Sequence, residues 1–334
     1  MSPSISISPD SRMNTASNVL GLLYDRKDGF YSLSELAGAA GVSAERLNEV
    51  IEQLTGRGFE LEHHPAHGLR LVQPMPLDAR LIERDLGTRR IGRHAIAFGE
   101  VDSTNDIAAD SARQEDADGL VVLAEHQRHG RGRLGRVWLS PPGENILMSV
   151  LLVEQTHQLP HHALTVATGL AVAEGIDQAC GGLTCALRWP NDVLLGEQKT
   201  SGVLVELRRT ATEGSVVLGV GVNVNAAPSP GSVDRPATCL REHVGHPVDR
   251  IEVIRAILQR LDAWVERLAG GALDVLHDAW VARCGMINQR VTVLFAGRPH
   301  VGRVLDVSPL EGLILVCDDG RREHLPAEGA SLVE

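Results

Sequence analysis

Lysine is almost missing from this sequence. Of the 32 basic side chains, 30 are arginine, and only Lys27 and Lys199 are lysine. An ammonium is a compact charge on a flexible stem and a guanidinium is a planar fork, so the two are not equivalent at a reaction site. Lys27 lies in the polar stretch DRKDG, which is typical of a solvated turn. Lys199 lies within a motif described below and is therefore the first candidate for chemistry.

Three further absences narrow the class of protein. No apolar run approaches about 18 residues, which predicts no membrane span, and the N-terminal MSPSISISPDSR lacks the basic start and apolar core of a signal peptide. The five cysteines form no C-x-x-C pair, so we expect reduced thiols and a cytoplasmic protein. A net charge of −11 argues against a protein that coats nucleic acid, although it permits one small DNA-reading module.

The remaining composition is that of a globular protein of several domains. With 334 residues, 43% hydrophobic and 22% charged, the chain is long enough for two or three domains. Helical periodicity, with Ser32 and Ser43 as candidate helix caps, followed by a hairpin pattern predicts a winged helix-turn-helix over 13–76. A small helical oligomerisation module is the alternative. A mixed α/β domain is predicted over 77–284, and closely spaced short strands predict a small β-barrel over 285–334.

Within the α/β domain, the pattern predicts a strand at 94–101, a helix at 104–117 and strands at 120–125 and 146–153. A long helix is predicted at 162–181 and an amphipathic one at 250–268. Further strands are predicted at 183–189, 200–208 and 216–224. His157, His161 and His162 lie in a polar loop, and their spacing does not indicate a zinc site.

A glycine-rich segment, GRGRLGR at 130–136, matches the G-x-G-x-x-G fingerprint of dinucleotide-binding domains. That fingerprint requires a helix to begin at the motif. VWLSPPG follows instead, and its prolines exclude such a helix. The remaining interpretation is a loop that binds an anion, since glycine lets backbone N–H groups approach a ligand and arginine adds forked donors.

Three other segments carry polar residues at strand ends. Asp192 closes the segment RWPND and precedes Lys199 by seven residues, so it could orient that ammonium or hold Mg²⁺. The strand GVGVNVN at 219–225 is interrupted by two glycines, which indicates a ligand or another backbone close by. Ser103 and Thr104 join a strand to a helix, where an N-cap is the common use of such residues and is compatible with a ligand contact.

These motifs, in this order, resemble those of the biotin protein ligases, specifically the bifunctional ligase and biotin-operon repressor type. The resemblance spans about residues 15–330 and implies a catalytic domain of the biotin/lipoate-ligase type, an N-terminal winged helix-turn-helix and a C-terminal SH3-like β-barrel. It implies an enzyme that activates biotin with Mg·ATP to biotinyl-5′-AMP. Biotin then passes to a lysine of the biotin carboxyl carrier protein of acetyl-CoA carboxylase. Biotin, ATP and Mg²⁺ are the expected small molecules, and a homodimer and operator DNA are the expected assemblies.

The resemblance also implies roles for individual residues. The residues expected to act in catalysis are Lys199, Arg131 and Arg133. Those expected to bind biotin are Ser103, Thr104, Asn105, Gln127, Arg131, Gly132, Arg133, Lys199, Gly219 and Gly221. Those expected to contact ATP or the adenylate are Arg133, Arg136, Trp138, Asn191, Asp192 and Asn223. Asp192 is the Mg²⁺ candidate.

Two departures from the family pattern affect what is expected. The segment 226–236, which would cover adenine, has no aromatic residue to stack on the base. The helix that would read DNA carries Glu45, Glu49 and Glu52, which oppose phosphate, whereas Arg46 and Asn48 are the DNA-binding candidates on a different part of its surface. A ligand-sensing transcription factor without ligase activity and a lipoate or octanoate ligase are the alternative functions.

Overall fold

The computed structural model describes residues 15–154, 161–209 and 214–333. The chain divides into two compact units, of which the first ends at Leu81 and the second begins at Ile82. No helix in these described ranges is both long and apolar enough to cross a membrane. The predicted N-terminal tail and His157 lie outside the described residues.

The first unit contains three helices and a hairpin, in the predicted order. Their bounds are α1 Thr15–Asp25, α2 Leu33–Ala40, α3 Ala44–Gly56, β1 Leu61–His64 and β2 Gly68–Leu71. The predicted serine caps are confirmed: Ser32 Oγ accepts a hydrogen bond from Glu35 N, and Ser43 Oγ accepts one from Arg46 N. Helix α4, Ala79–Glu83, spans the division between the units.

The second unit contains a seven-stranded mixed sheet. Its strands are β3 Ala95–Val101, β4 Val121–Gln127, β5 Ile146–Glu154, β6 Ala186–Arg188, β7 Asp192–Leu195, β8 Gln198–Arg209 and β9 Gly214–Val222. The strand order is β3-β4-β5-β9-β8-β7-β6, with β3 and β4 parallel and the other pairs antiparallel. The middle strands are the most apolar because side chains cover both of their faces.

Helices surround this sheet. They are α5 Thr104–Asp110, α6 His161–Ala179, α7 Leu240–Val244, α8 Arg250–Ala269 and α9 Leu273–Val281. Helix α8 buries the predicted apolar stripe, and it lies so close to α6 that a Cβ added at Gly175 would be 2.7 Å from the backbone of Ile257. This close packing fixes the two long helices against each other.

A second sheet of five antiparallel strands closes the chain, in the order β13-β12-β11-β10-β14. The strands are β10 Arg290–Phe295, β11 Arg298–Ser308, β12 Gly312–Val316, β13 Arg322–Leu325 and β14 Ala330–Val333. It belongs to the same compact unit as the seven-stranded sheet. The predicted division at 76/77 and 284/285 into three domains therefore stays a prediction.

Two predicted elements were too long. The helix predicted at 104–117 ends at Asp110 and continues as a 3₁₀ turn, Ser111–Arg113. Ser111 Oγ donates a hydrogen bond to Ile107 O, and such local bonds compete with the helix ladder. The strand predicted at 183–189 is only Ala186–Arg188, while β7, α7, α9 and β14 were not predicted.

Candidate active site

A cavity of about 390 Å³ lies at the face of the seven-stranded sheet. Strands β5, β8 and β9, the start of α5, the glycine-rich loop, the segment 226–236 and β14 contribute to its wall. All fifteen catalytic, biotin-binding and ATP-binding residues predicted from the sequence line it. They are Ser103, Thr104, Asn105, Gln127, Arg131, Gly132, Arg133, Arg136, Trp138, Asn191, Asp192, Lys199, Gly219, Gly221 and Asn223.

A buried polar network forms one end of the cavity, at the start of α5. The backbone N–H of Thr104 donates to Gln127 Oε1 at 2.8 Å, and Thr104 Oγ1 lies 3.0 Å from the same oxygen. Ser149 Oγ lies 2.7 Å from Thr104 Oγ1 and 2.6 Å from Asn105 Oδ1. Ser103 makes no capping hydrogen bond to the described helix, so its buried hydroxyl does not serve the N-cap role that the sequence suggested.

The two glycines of β9 make room for side chains. A Cβ at Gly219 would lie 2.5 Å from Asn105 Oδ1, and one at Gly221 would lie 2.4 Å from Cε2 of Trp138. Real Cβ atoms do not approach other atoms so closely. The sequence indicated a ligand or another backbone beside these glycines, whereas the atoms nearest to them belong to the side chains of Asn105 and Trp138.

The glycine-rich loop is held by its own backbone. Gly132 N donates to Arg136 O at 2.7 Å, and Trp138 N donates to Gly130 O at 3.0 Å. Leu134 has a positive φ of 55° inside a 3₁₀ turn and leaves its side chain exposed. No dinucleotide-type helix follows in this described stretch, in agreement with the sequence interpretation.

Each arginine of this loop has protein partners. Arg131 forms a forked pair with Asp106, at 2.7 and 2.8 Å, and reaches Glu206 at 3.3 Å. Arg133 donates to the carbonyls of Ala327 and Ala330, and burial lowers the pKa of its guanidinium. Because of the hydrogen bonds from Arg131, the pKa of the Asp106 carboxyl falls below its usual range.

The third loop arginine also points toward the C-terminal strand. Arg136 Nη2 donates to Ser331 Oγ at 3.2 Å, and its Nε lies 3.8 Å from Asp234. With Arg133, it connects the loop to the segment around β14. The five-stranded sheet therefore supplies part of the wall of the cavity, through Ser331 and Leu332.

Two cations share one buried carboxylate at the centre of the site. Lys199 Nζ lies 2.5 Å from Asp192 Oδ1, which confirms the predicted pairing of these residues. Arg235 Nη1 lies 3.3 Å from Asp192 Oδ2, while Arg235 Nη2 donates to Leu332 O at 2.8 Å. The Asp192 side chain is 7% exposed, so its carboxylate binds both cations at a position largely shielded from solvent.

The donor set does not fit a magnesium ion held by the protein. No group of three or more His, Cys, Asp and Glu suited to a metal occurs among residues 15–154, 161–209 and 214–333. Mg²⁺ takes few protein carboxylates and draws on substrate phosphates, and both oxygens of Asp192 already face cations. Magnesium at Asp192 stays a prediction, and no step below depends on it.

Two buried polar atoms in the cavity wall have no hydrogen-bond partner among the described residues. They are Asn223 Oδ1 and Trp138 Nε1. The amide nitrogen of Asn223 is engaged with Thr238 O at 3.1 Å, which orients the free oxygen. Buried polar atoms normally find partners, so these two indicate positions for ligand atoms.

Sequence reasoning missed Asp106, Ser149, Glu206 and Arg235. Asp106 directly follows the motif Ser103–Asn105, and Arg235 is the one basic residue of 226–236, so weak signals existed. Ser149 and Glu206 lie inside apolar strand patterns, where their cross-strand partners cannot be identified from sequence. Each of these four residues contacts a predicted residue.

The DNA-binding candidates lie in the first unit, on α3. Arg46 and Asn48 are both exposed there. Arg46 Nη1 pairs with Glu49 Oε2 at 2.5 Å, one helical turn away. The expectation that Arg46 points away from the glutamates is therefore wrong, because side chains three residues apart are neighbours on a helix.

Comparison with known proteins agrees with the geometry. The Biotin/lipoate A/B protein ligase family matches residues 98–223. The chain is 32% identical to the bifunctional ligase/repressor BirA of Bacillus subtilis, over 74% of this chain and 77% of that protein. It is 35% identical to a biotin–[acetyl-CoA-carboxylase] ligase of Mycobacterium tuberculosis, over 76% and 94% of the two chains.

The solved structures show the same mixed α/β catalytic fold. The biotin protein ligase of Aquifex aeolicus in complex with biotin and ATP is 27% identical, with a TM-score of 0.63, over 72% of this chain and 99% of that chain. A mutant of the same ligase in complex with biotin gives a TM-score of 0.62, also at 27% identity, with coverage of 72% and 98%. The sequence identities, the fold and the cavity lead to one conclusion: this chain belongs to the family of ATP-dependent biotin–protein ligases.

Proposed function

We propose that this protein activates biotin with ATP to biotinyl-5′-AMP and then transfers biotin to a lysine of the biotin carboxyl carrier protein of acetyl-CoA carboxylase. One observation carries the proposal: a single cavity joins a buried polar network at one end to the Lys199–Asp192 pair and a set of arginines. A neutral polar head group and an anionic reaction centre can therefore occupy it together.

The polar network suits the ureido head of biotin. That group offers two N–H donors and one carbonyl acceptor. Ser103, Thr104, Asn105 and Gln127 present hydroxyl and amide groups in a buried place, where an unmatched polar atom is costly. A ligand without a hydrogen-bonding head, such as lipoate, offers these groups no hydrogen bonds.

Lys199 supports the attack of the biotin carboxylate on the α-phosphate of ATP. The carboxylate oxygen forms the new P–O bond, and pyrophosphate leaves. Negative charge is concentrated near the phosphorus during this step, and an ammonium fixed beforehand stabilises it. Asp192 keeps Lys199 in place without a rearrangement of the side chain.

The remaining wall suits the adenylate. Gly132 allows close approach of the loop backbone, and Arg133 and Arg136 add positive charge. Asn191 and the unpartnered Asn223 Oδ1 are acceptors for nucleoside N–H or O–H groups, and the Trp138 indole supplies an apolar face. Gly219 and Gly221 act indirectly, by admitting Asn105 and Trp138.

Transfer to the carrier tests this proposal. The protein is incubated with biotin, Mg·ATP and a biotin carboxyl carrier domain, and the carrier is analysed by mass spectrometry. We expect one biotin in amide linkage at a carrier lysine and none without ATP. Lipoate or octanoate in place of biotin should give no product; preferential transfer of either acid would assign the site to the other branch of the family.

A ligand-sensing transcription factor is the weaker alternative. Effector binding alone requires neither an ammonium fixed by a buried carboxylate nor a set of cations around it. The relatives are named as ligases, which also favours the enzyme. Binding of biotin without transfer or adenylate formation would favour the sensor.

The two smaller parts of the fold have proposed identities as well. We infer that α1–α3 with the β1–β2 hairpin form a winged helix-turn-helix, and that the five-stranded sheet is an SH3-like barrel. All five cysteines are free, which supports a reducing, cytoplasmic location.

DNA repression is a proposal from the names of relatives, several of which are bifunctional ligase/repressors, and the homodimer stays a prediction. Arg46 and Asn48 would contact operator DNA. Binding of the biotin operator region, measured by fluorescence anisotropy at low salt with the adenylate bound, should weaken in Arg46→Ala. No binding by the wild type would leave a ligase that is not a repressor.

A further inference from the structure

We propose that Asp106 and Glu206 are positioning residues, which fix the glycine-rich loop by binding the side chain of Arg131. Glu206 also binds Asn105 and so links the loop to the polar end of the cavity. The proposal rests on the proposed function only in naming biotin as the ligand. In this account the Arg131 side chain anchors the loop and does not itself bind the ligand carboxylate or phosphate.

The contacts form a clamp around one guanidinium. Arg131 Nη1 and Nη2 donate to the two oxygens of Asp106 at 2.7 and 2.8 Å, and Nη2 also reaches Glu206 Oε2 at 3.3 Å. Asp106 is on α5 and Glu206 is on β8, so the clamp joins two elements of the scaffold to the loop. Arg208 lies farther away, at 3.8 Å from Asp106.

The charge of this cluster argues against a direct role in binding an anion. One guanidinium faces two carboxylates, so the local sum is −1 before Arg208 is counted. An incoming carboxylate or phosphate that formed a forked contact with Nη1 and Nη2 of Arg131 would have to displace Asp106, and such forked pairs are among the stronger hydrogen bonds. Lys199, Arg133 and Arg136 line the same cavity without such a forked carboxylate partner.

The position of Arg131 explains why an anchor is needed. It stands between Gly130 and Gly132, whose backbones have more freedom than those of other residues. Backbone hydrogen bonds and the contacts of Arg133 and Arg136 hold the rest of the loop, and a fixed side chain at position 131 adds a fixed point between the two glycines. The forked pair supplies that fixed point.

Glu206 extends the clamp to the polar end of the cavity. Its Oε2 accepts hydrogen bonds from both Arg131 Nη2 and Asn105 Nδ2, the latter at 2.7 Å. Asn105 Oδ1 in turn contacts Ser149 Oγ, and Gly219 leaves the space that Asn105 occupies. A ligand that settles against Asn105 therefore acts on the same carboxylate that holds the loop.

A double-mutant cycle separates this proposal from a simple surface ion pair. Biotin binding without ATP is measured by calorimetry for wild type, Asp106→Asn, Arg131→Gln and the double variant. We expect each single change to weaken binding about tenfold. The double variant should be no weaker than Arg131→Gln, because Asp106 acts only through Arg131. Asp318→Asn, which breaks a similar forked pair with Arg290 in the five-stranded sheet, is the matched control and should bind as wild type.

Steady-state kinetics supply a readout that general loss of structure would not give. For Asp106→Asn, the KM for biotin should rise about tenfold while kcat changes far less, and Asp106→Glu should restore most of the affinity. Glu206→Gln should show the same pattern, and it replaces Asp106→Asn if circular dichroism shows that the latter is unfolded. Unchanged biotin affinity in the folded variants, or losses that add in the double variant, would overturn the proposal.

Trypsin cleavage of the ligand-free protein tests the clamp without any ligand. Cleavage after Arg133 and Arg136, followed by mass spectrometry, should be about tenfold faster in Asp106→Asn and unchanged in Asp318→Asn, because an open loop is cut more readily. If wild type fails to bind biotin while the variant loop is cut faster, the proposed function is wrong and the clamp is right. Equal cleavage rates would contradict the clamp.

Discussion

At the scale of single residues, the site is organised by charges that share partners. Asp192 holds Lys199 and Arg235 together, and each oxygen of its carboxylate faces a different cation. The Asp192 carboxylate is buried between these two cations. This arrangement keeps two positive groups next to each other, where they would otherwise repel.

Arg235 should contribute to nucleotide binding. The Arg235→Ala variant is expected to raise the KM for ATP about tenfold, because the segment 226–236 loses its cation beside the reaction centre. Biotin binding without ATP should be unchanged. Steady-state kinetics and calorimetry check both parts.

The matched control for this change is Arg241→Ala. Arg241 is an exposed arginine close by in sequence that does not line the cavity as described. It should leave the KM for ATP as in wild type. If Arg235→Ala behaves like this control, the segment does not act through its charge.

At the scale of secondary-structure elements, strand β9 shows why small residues occur in a buried strand. The side chain of Asn105 lies beside Gly219 and that of Trp138 lies beside Gly221. Each would clash with a Cβ atom added at its glycine. Additional atoms in a well-packed region force side chains out of their preferred rotamers. The glycines thus determine the position of two larger side chains.

The Gly219→Ala variant should therefore be less stable and bind biotin more weakly. The added Cβ would lie 2.5 Å from Asn105 Oδ1, so Asn105 must move away from Ser149 and Glu206. We expect a loss of about 1–3 kcal/mol in the free energy of unfolding. Urea denaturation and calorimetry with biotin measure the two effects.

Gly99→Ala provides the control in the same sheet. Gly99 lies in β3, and no described atom lies within 4 Å of a Cβ built there. Its unfolding free energy and biotin affinity should match or slightly exceed those of wild type. Equal losses in both variants would mean that the contact with Asn105 does not explain the effect.

The helices and strands also show how much of the fold and of the site can be predicted from the sequence. Most of the strands and long helices, the serine caps and the cavity-lining motifs were accessible because they depend on local periodicity and short spacing. Glu206 and Arg235 were not, since their partners Arg131 and Asp192 are 75 and 43 residues away in the chain. Only the register of β8 and the path of 226–236 bring these pairs together.

The extent of the α5 helix illustrates a second limit. Apolar periodicity continues past Asp110, but Ser111 bonds the backbone of Ile107 and the chain tightens into a 3₁₀ turn. Periodicity reports which face is buried, and it does not report such local competition for hydrogen bonds.

At the scale of the whole molecule, the scarcity of lysine has a chemical consequence. Under the proposed function, a biotinyl-adenylate that escaped the site would react with amines, and this chain offers only Lys27 and Lys199 besides its α-amino group. Lys199 is held against Asp192. The protein should therefore be a poor acceptor for its own activated product.

Self-labelling measures this property. Incubation with biotin and Mg·ATP, without carrier, should give little modification, confined to Lys27 or the amino terminus. A lysine-rich bystander protein in the same tube should gain more biotin per chain. Heavy labelling of the enzyme, found by mass spectrometry of the intact chain, would contradict this expectation.

Biotin-dependent exchange of labelled pyrophosphate into ATP isolates the first chemical step, at which Lys199 is proposed to act. Wild type should catalyse exchange with biotin and not with lipoate. The Lys199→Ala variant should lose at least about two orders of magnitude in rate, while it still binds biotin and keeps its fold by circular dichroism. Exchange at the wild-type rate in Lys199→Ala, or no exchange by a wild-type protein that binds biotin, would contradict the account.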